Sequence, residues 1–160
     1  MTRQEIEQRA FELHDGGYHC AESVLLALSE AHGNGRAEGL SPRIATCFGG
    51  GVGRTHQEMC GALAGGLLAL GALHGRDRRH GNWDRAAELA SALRQKFIAR
   101  FGASACKDVL AGLGEQENMA KCKRLSGITA GLASELLRET REASESCEAC
   151  ACMTVKNDRQ

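Results

Sequence analysis

The longest apolar run of the chain, residues 61–73, constrains the fold more than any other feature. It reads GALAGGLLALGAL, and glycine or alanine fills most of its positions. A membrane span needs about 20 apolar residues, so this shorter run predicts a helix buried among other helices. Its small residues allow two interpretations. They let a neighbouring helix approach closely, or they clear space beside Cys60, which directly precedes the run, for a group that is not protein.

The rest of the composition predicts an all-α fold. Alanine, leucine, glutamate and arginine dominate, and proline occurs once, at Pro42. No segment alternates apolar and polar residues with β-branched enrichment, so we expect no sheet. A chain of 160 residues fits one domain. We predict a single-domain bundle of about six to seven helices over residues 1–146, followed by a flexible, cysteine-rich tail over residues 147–160.

Capping residues and glycines define the expected helix ends. Residues 32–40 read as a loop, HGNGRAEGL. The predicted helices run from Thr2 to Gly16, from Tyr18 to Gly33, briefly after Ser41-Pro42, from about Gln57 to Gly75, from Asn82 to Gly102, briefly after Ser104, and from near Cys122 to about Ser146.

Charge and the N-terminal sequence restrict the protein's surroundings. Twenty basic and twenty acidic side chains give a net charge of zero, which does not support binding to nucleic acid or to an acidic membrane surface. The charged N-terminus does not resemble a signal peptide, so we expect a cytoplasmic protein without membrane insertion. Thiols stay reduced there, so the eight cysteines predict ligands or redox groups rather than a disulfide framework.

Four of the cysteines share a position just inside a predicted helix start: Cys20, Cys60, Cys106 and Cys122. Unpaired N–H groups and the positive end of the helix dipole favour a thiolate there, as metal ligation and thiol chemistry require. The alternative interpretation is that each cysteine is a small apolar residue in a helix core. Four cysteines placed alike favour the chemical interpretation.

Four segments carry a resemblance to a known family: GYHCAESVLLAL, CFGGGVGRTHQEMCGALAGGLLALG, RFGASACKDVLAG and KCKRLSGITAGLASELL. Over residues 5–140 the chain resembles the redox-active proteins that carry a CGAxxG motif, the C_GCAxxG_C_C family. The resemblance implies an all-helical fold, a redox role, and correspondence of Cys20, Cys60, Cys106 and Cys122 to the family's four cysteines. A related domain occurs in split-Soret cytochromes with haem and an iron–sulfur centre. This chain has no Cys-x-x-Cys-His motif, so covalent haem is not expected.

Three chemistries are compatible with the four thiols. They could hold an iron–sulfur cluster for electron transfer or redox sensing, with Gly61 and Gly65 clearing space for this cofactor. They could hold zinc, in a helical scaffold or metal carrier. Alternatively, Cys60 could be a low-pKa thiol that cycles through a disulfide. We favour the cluster, because it needs a cleared pocket and because structural zinc sites usually use paired Cys-x-x-Cys ligands. Whether a reaction is catalysed stays open.

Other features carry weaker expectations. Cys47 and the tail cysteines Cys147, Cys150 and Cys152 lie outside the set of four. The tail could complete a metal site, exchange thiols with the core, or be incidental. His56 reads as an exposed loop residue, and GGGVG lacks the lysine and the preceding strand of a phosphate-binding loop. We expect a redox partner protein of unknown identity, and a homodimer that shares the cysteines stays open.

Overall fold

The structure is a computed structural model that describes the backbone of residues 1–33 and 40–154, with side chains up to residue 142. Within these residues there are seven α-helices and no strand, apart from an isolated bridge between Met59 and Ala105. The all-α prediction is confirmed. The helices are α1 (Arg3–Asp15), α2 (Cys20–His32), α3 (Arg43–Thr46), α4 (Gly61–His74), α5 (Asp84–Phe101), α6 (Cys106–Leu113) and α7 (Ala120–Thr154).

The core forms where α1, α2 and α4 pack against one another and against the long α7. Helix α2 touches α1, α4 and α7, and α5 covers α4 and α7 from the outside. The largest fully buried apolar side chains come from α1, α2, α4 and α5, and most are aliphatic. Burying such side chains is the main stabilising contribution of a domain this size. They include Ile6, Leu25, Leu28, Leu63, Leu70, Leu93 and Phe97.

Most predicted helix ends agree with the structure. Thr2 and Glu5 form the reciprocal capping box of α1, and Gly102 ends α5 in a left-handed conformation, with φ 84°. Helix α4 begins later than predicted, at Gly61, because the residues before it are extended and pair with another segment. The N–H of Cys60 donates to Ser104 O at 2.8 Å. Cys60 is therefore the N-cap of α4 rather than a residue of its first turn.

Helix α7 is longer than predicted, since it ends at Thr154 rather than near Ser146. Residues 144–154 contain neither glycine nor proline, so the sequence has no stop signal there. The side chains of Cys147, Cys150 and Cys152 lie outside the described residues, as do residues 155–160 and most of the predicted loop at 32–40. None of the helices in the described part of the chain is long and apolar enough to cross a membrane.

The small residues of α4 let α2 approach closely. A Cβ atom added at Gly65 would lie 2.2 Å from Ala21 O in α2, and one at Gly66 would lie 2.8 Å from Leu93 Cδ2 in α5. These distances are far below van der Waals contact, so glycine at these positions permits the packing of three helices. The close-approach interpretation is confirmed at Gly65.

We expect Gly65→Ala to destabilise the protein and Gly71→Ala to stabilise it, although both lie in the interior of α4. Helix propensity favours alanine by about 1 kcal/mol at each position. Gly71 has no heavy atom within 4 Å of an added Cβ, whereas the Cβ at Gly65 would meet the α2 backbone. Overpacking of this kind costs about 1–3 kcal/mol. Urea unfolding of both variants measures the difference. Equal stability of the two variants would contradict the packing argument.

A buried and a half-buried histidine join α1 and α2 to α7. His14 Nδ1 lies 2.9 Å from Ser126 Oγ, and His32 Nε2 lies 2.9 Å from Ser134 Oγ. Ser126 Oγ also donates to Cys122 O at 3.1 Å. Burial lowers the pKa of His14 to about 4, with smaller contributions from His19 and Lys123, and burial also lowers the pKa of His32. Both rings are therefore neutral in the folded protein near neutral pH.

This burial predicts acid-sensitive stability. The pKa of His14 is lower in the folded state than its ordinary value of 6.5, so its contribution is complete above pH 6.5 and is lost as the pH falls towards about 4. At about 1.4 kcal/mol per pKa unit, the loss is on the order of 3 kcal/mol. Urea unfolding across this window should show a shallower pH dependence for His14→Gln than for the wild type. The exposed His80→Gln variant is the control, and a His14→Gln slope equal to the wild-type slope would refute the assignment.

Candidate metal and redox centre

The four cysteines singled out in the sequence line one cavity of about 510 Å³. Each comes from the start of a different helix. Cys20 is the first residue of α2, Cys60 is the N-cap of α4, Cys106 is the first residue of α6, and Cys122 lies in the first turn of α7. The predicted placement just inside a helix start is confirmed for Cys20, Cys106 and Cys122, whereas Cys60 lies one residue before its helix. The predicted sulfur separations of roughly 4–8 Å stay a prediction.

A short antiparallel pairing brings Cys60 beside Cys106. The N–H of Cys60 donates to Ser104 O, and the N–H of Cys106 donates to Glu58 O, both at 2.8 Å. A third bond of 2.8 Å runs from the N–H of Lys107 to His56 O. These bonds tie the start of α6 to the segment that leads into α4, so the backbone itself sets the relative position of the two cysteines.

Cys20 reaches this pair because α2 lies against the start of α4. A Cβ atom added at Gly61 would lie 2.4 Å from Cys20 Sγ and 2.8 Å from Phe48 O. The Cys20 thiol therefore occupies the space that a side chain at residue 61 would need. Gly61 and Gly65 are not among the described residues that line the cavity. Their role in cofactor binding stays a prediction, whereas their role in packing is visible.

The thiols are harder to ionise than their helix positions suggest. Burial raises the pKa of Cys60 to about 12 and that of Cys106 to about 11, and in both cases the nearby Cys20 adds to the shift. The nearby backbone N–H groups of Ala62 and Leu63 lower the pKa of Cys60 but offset only part of the effect, and the Cys60 side chain forms no capping hydrogen bond. The expectation that helix starts favour thiolates at these cysteines is therefore wrong for the isolated protein. Desolvation outweighs the helix dipole, and at α6 the first N–H groups are already bound to loop carbonyls.

The side chain of Gln116 forms hydrogen bonds with both the sulfur and the backbone N–H of Cys122. Gln116 Nε2 donates to Cys122 Sγ at 3.2 Å, and Gln116 Oε1 accepts from the N–H of Cys122 at 2.9 Å. Burial raises the pKa of this thiol, the hydrogen bond from Gln116 lowers it, and Cys20 raises it further. Gln116 was not singled out in the sequence. A glutamine six residues before a cysteine, across a loop, gives no recognisable signal.

Two further observations limit what the site can hold. Cys47 is exposed and does not line the cavity. Among the described residues, no three His, Cys, Asp or Glu side chains are grouped so that they could hold a metal ion. A group that binds all four cysteines therefore has to span the cavity or draw the side chains inward.

The cavity also has polar lining residues, here called the polar wall, most of which the sequence did not predict. They include Thr46, Arg54 and three histidines, His14, His19 and His56. His56 is exposed, as predicted, and it also lines the cavity. The signal that could have identified this wall is the glycine cluster before Arg54, since such clusters allow backbone turns that project the intervening side chains to one side.

Fold and site together define a class of protein: an all-α domain in which four cysteines from four helix starts line one cavity. A family model described as "Putative redox-active protein (C_GCAxxG_C_C)" matches residues 18–136. The chain therefore belongs to the C_GCAxxG_C_C family. The comparisons with curated proteins and with solved structures found no match. The relation to split-Soret cytochromes stays a prediction.

We expect Gln116→Leu to make Cys122 harder to ionise. The substitution removes the N–H donor to the sulfur and leaves the burial that raises the pKa. The pH profile of Cys122 alkylation, followed by mass spectrometry of the metal-free protein, should have its midpoint at higher pH. Glu117→Leu is the control, because it changes an exposed neighbour in the same loop. An unchanged midpoint in Gln116→Leu would mean that the hydrogen bond does not act on the thiol.

Proposed function

We propose that Cys20, Cys60, Cys106 and Cys122 hold an iron–sulfur cluster that serves electron transfer or redox sensing. The observation that carries the proposal is the single cavity of about 510 Å³ lined by all four thiols. Iron–sulfur clusters are commonly held by four cysteines, and they need more room than one ion. Membership of a family described as redox-active supports the same conclusion.

The chemistry of the donor set supports a cationic centre. Burial opposes ionisation of Cys60, Cys106 and Cys122, so thiolates at these positions would be unfavourable without a compensating positive charge. Metal ions supply that charge, and a coordinated thiol is deprotonated. The amide of Gln116 already donates to the Cys122 sulfur, and the N–H groups of Ala62 and Leu63 lie near that of Cys60. Such donors tune the potential of a cluster.

The arrangement favours a cluster over zinc. Tetrahedral zinc with Zn–S bonds of about 2.3 Å would require sulfurs roughly 4 Å apart. No three potential ligands in the described part of the chain are grouped in that way. A larger group can bridge thiols that are more widely spaced around a cavity. Zinc stays the alternative cofactor in the test below.

The environment of Cys60 does not suit the nucleophile that the thiol–disulfide alternative requires. Cys60 is only 6% exposed, and burial raises its pKa to about 12. Reactive cysteines have a lowered pKa and are partly accessible, which is the opposite of this environment. Burial does suit a redox centre, since it keeps water away from the sulfurs.

The chain's own residues have separate tasks in this proposal. When bound, the cluster would supply one-electron chemistry. The four cysteines would anchor it, Gln116 and the start of α4 would donate hydrogen bonds to sulfur, and the small residues of α4 would keep α2 close enough for Cys20 to take part. A redox partner protein and a cytoplasmic setting belong to the same proposal, without nucleic acid or membrane insertion, and the homodimer stays open.

Anaerobic reconstitution with iron and sulfide tests the proposal. We expect brown protein with visible charge-transfer absorption and bound iron and sulfide. Cys20→Ser, Cys60→Ser, Cys106→Ser and Cys122→Ser should each reduce cluster content. Cys47→Ser is the matched control and should leave it unchanged, because Cys47 is exposed and does not line the cavity.

Other outcomes would replace the proposal. Colourless protein with stoichiometric zinc would indicate a zinc scaffold or carrier. Colourless, metal-free protein with reactive thiols would indicate a thiol–disulfide protein. Loss of the cluster in Cys47→Ser but not in one of the four cavity variants would show that the ligand set is wrong for that cysteine.

A further inference from the structure

Two residues of the polar wall, Arg54 and His56, lie on an unusual left-handed turn. Residues 50–54 all have positive φ, between 60° and 66°, and His56 has φ 59°. Backbone hydrogen bonds hold this turn in place: the N–H of Gly53 donates to Cys47 O, that of Arg54 to Gly49 O, and that of His56 to Gly50 O. The His56 carbonyl also accepts from Lys107 in α6. The turn is thus fixed from both sides.

The backbone conformation of this turn does not explain why some of its residues carry side chains. Glycine adopts positive φ without strain, and the chain uses it at residues 50, 51 and 53. Arg54 and His56 occupy the same conformation, which L side chains rarely adopt. Both line the cavity, whereas the third such residue, Val52, is exposed and does not. Besides Gly50 and Gly53, the positions of the turn that line the cavity therefore hold a cationic and a hydrogen-bonding side chain in spite of the backbone cost.

The cavity carries basic groups without acidic ones. An arginine and three histidines line it, and none of its described lining residues is an aspartate or glutamate. The buried carboxylate of Glu22 is directed elsewhere, since it accepts from the N–H of His19 at 2.7 Å and from Thr46 Oγ1 at 2.6 Å. The Arg54 side chain forms no ion pair or hydrogen bond within the described residues. Its charge is therefore available to a ligand.

We propose that this wall binds a small anion, with the guanidinium of Arg54 as the main donor and the imidazole of His56 as the second. The ligand chemistry is that of a carboxylate or an inorganic oxyanion, which a guanidinium recognises through two parallel N–H···O bonds. The His56 ring lies over Gly50, where an added Cβ would be 3.4 Å from Nε2, so it borders the same wall. The anion would sit in the cavity that the four cysteines line. This inference goes beyond the proposed cluster and does not require it.

A different role for Arg54 is to balance the negative charge of a metal–thiolate centre. The two roles separate in metal-free, reduced protein, because no metal–thiolate centre is present there for Arg54 to balance. An anion site binds its ligand in the metal-free protein, whereas an arginine that only balances the charge of a metal–thiolate centre binds no anion there. Failure of cluster reconstitution would leave this test unaffected.

The experiment titrates metal-free, reduced protein with inorganic phosphate and, separately, with malonate, followed by isothermal calorimetry and by amide NMR shifts. Saturable binding of phosphate alone would indicate an inorganic oxyanion ligand, and binding of malonate alone would indicate a carboxylate metabolite. Binding of both supports the shared anion chemistry. No saturable response from either probe overturns the proposal.

Two glycine substitutions separate the side chain from the loop. Arg54→Gly should relieve backbone strain, so the protein stays folded and at least as stable, while anion affinity falls by about tenfold or more, as expected for loss of a charge-assisted pair. Val52→Gly relieves the same strain in the same turn and should bind the anion like the wild type. Wild-type affinity in Arg54→Gly, or an equal loss in Val52→Gly, would overturn the assignment to the Arg54 side chain.

Discussion

The close approach of α2 and α4 is the contact on which the site depends. Gly65 faces the backbone of Ala21, and Gly61 faces the sulfur of Cys20, so a side chain at either glycine would push the two helices apart. Interiors pack at near-crystalline density, and a shift of this kind cannot be absorbed locally. Separation of the helices would withdraw Cys20 from the other cysteines. The same small residues that permit packing therefore also assemble the site.

A second constraint completes the centre from the other side. The segment before α4 pairs with the segment before α6 through three backbone hydrogen bonds, and this pairing sets Cys60 beside Cys106. It also anchors the left-handed turn, since His56 accepts from the first turn of α6. A Cβ atom at Gly51 would lie 2.5 Å from Cys106 Cβ, so the turn presses directly on that cysteine. The left-handed turn and the start of α6 are therefore in direct contact, and a shift of one would displace the other.

The sequence predicted the parts of this structure that depend on local rules. Caps and glycine stops gave the all-α fold, and the four helix-start cysteines do line one cavity. It failed where long-range contacts override local ones. The start of α4 is delayed because Met59 and Cys60 pair with Ala105 and Ser104, contacts separated by more than forty residues of chain. Gln116 was missed because nothing in the local pattern indicates which side chain a loop will direct to a thiol.

The electrostatics of the cavity depend on burial as much as on charge. A helix start favours a thiolate only if its N–H groups are free and solvent can stabilise the charge. At Cys106 the N–H is bound to Glu58 O, and at Cys60 the sulfur is nearly enclosed. Burial therefore disfavours charge on Cys60 and Cys106 in the metal-free protein, and Arg54 and His56, rather than carboxylates, line the same cavity. A bound cation would favour the ionised thiols, whereas Arg54 favours a bound anion, so charge bound in one part of the cavity affects binding in the other and couples the two proposals.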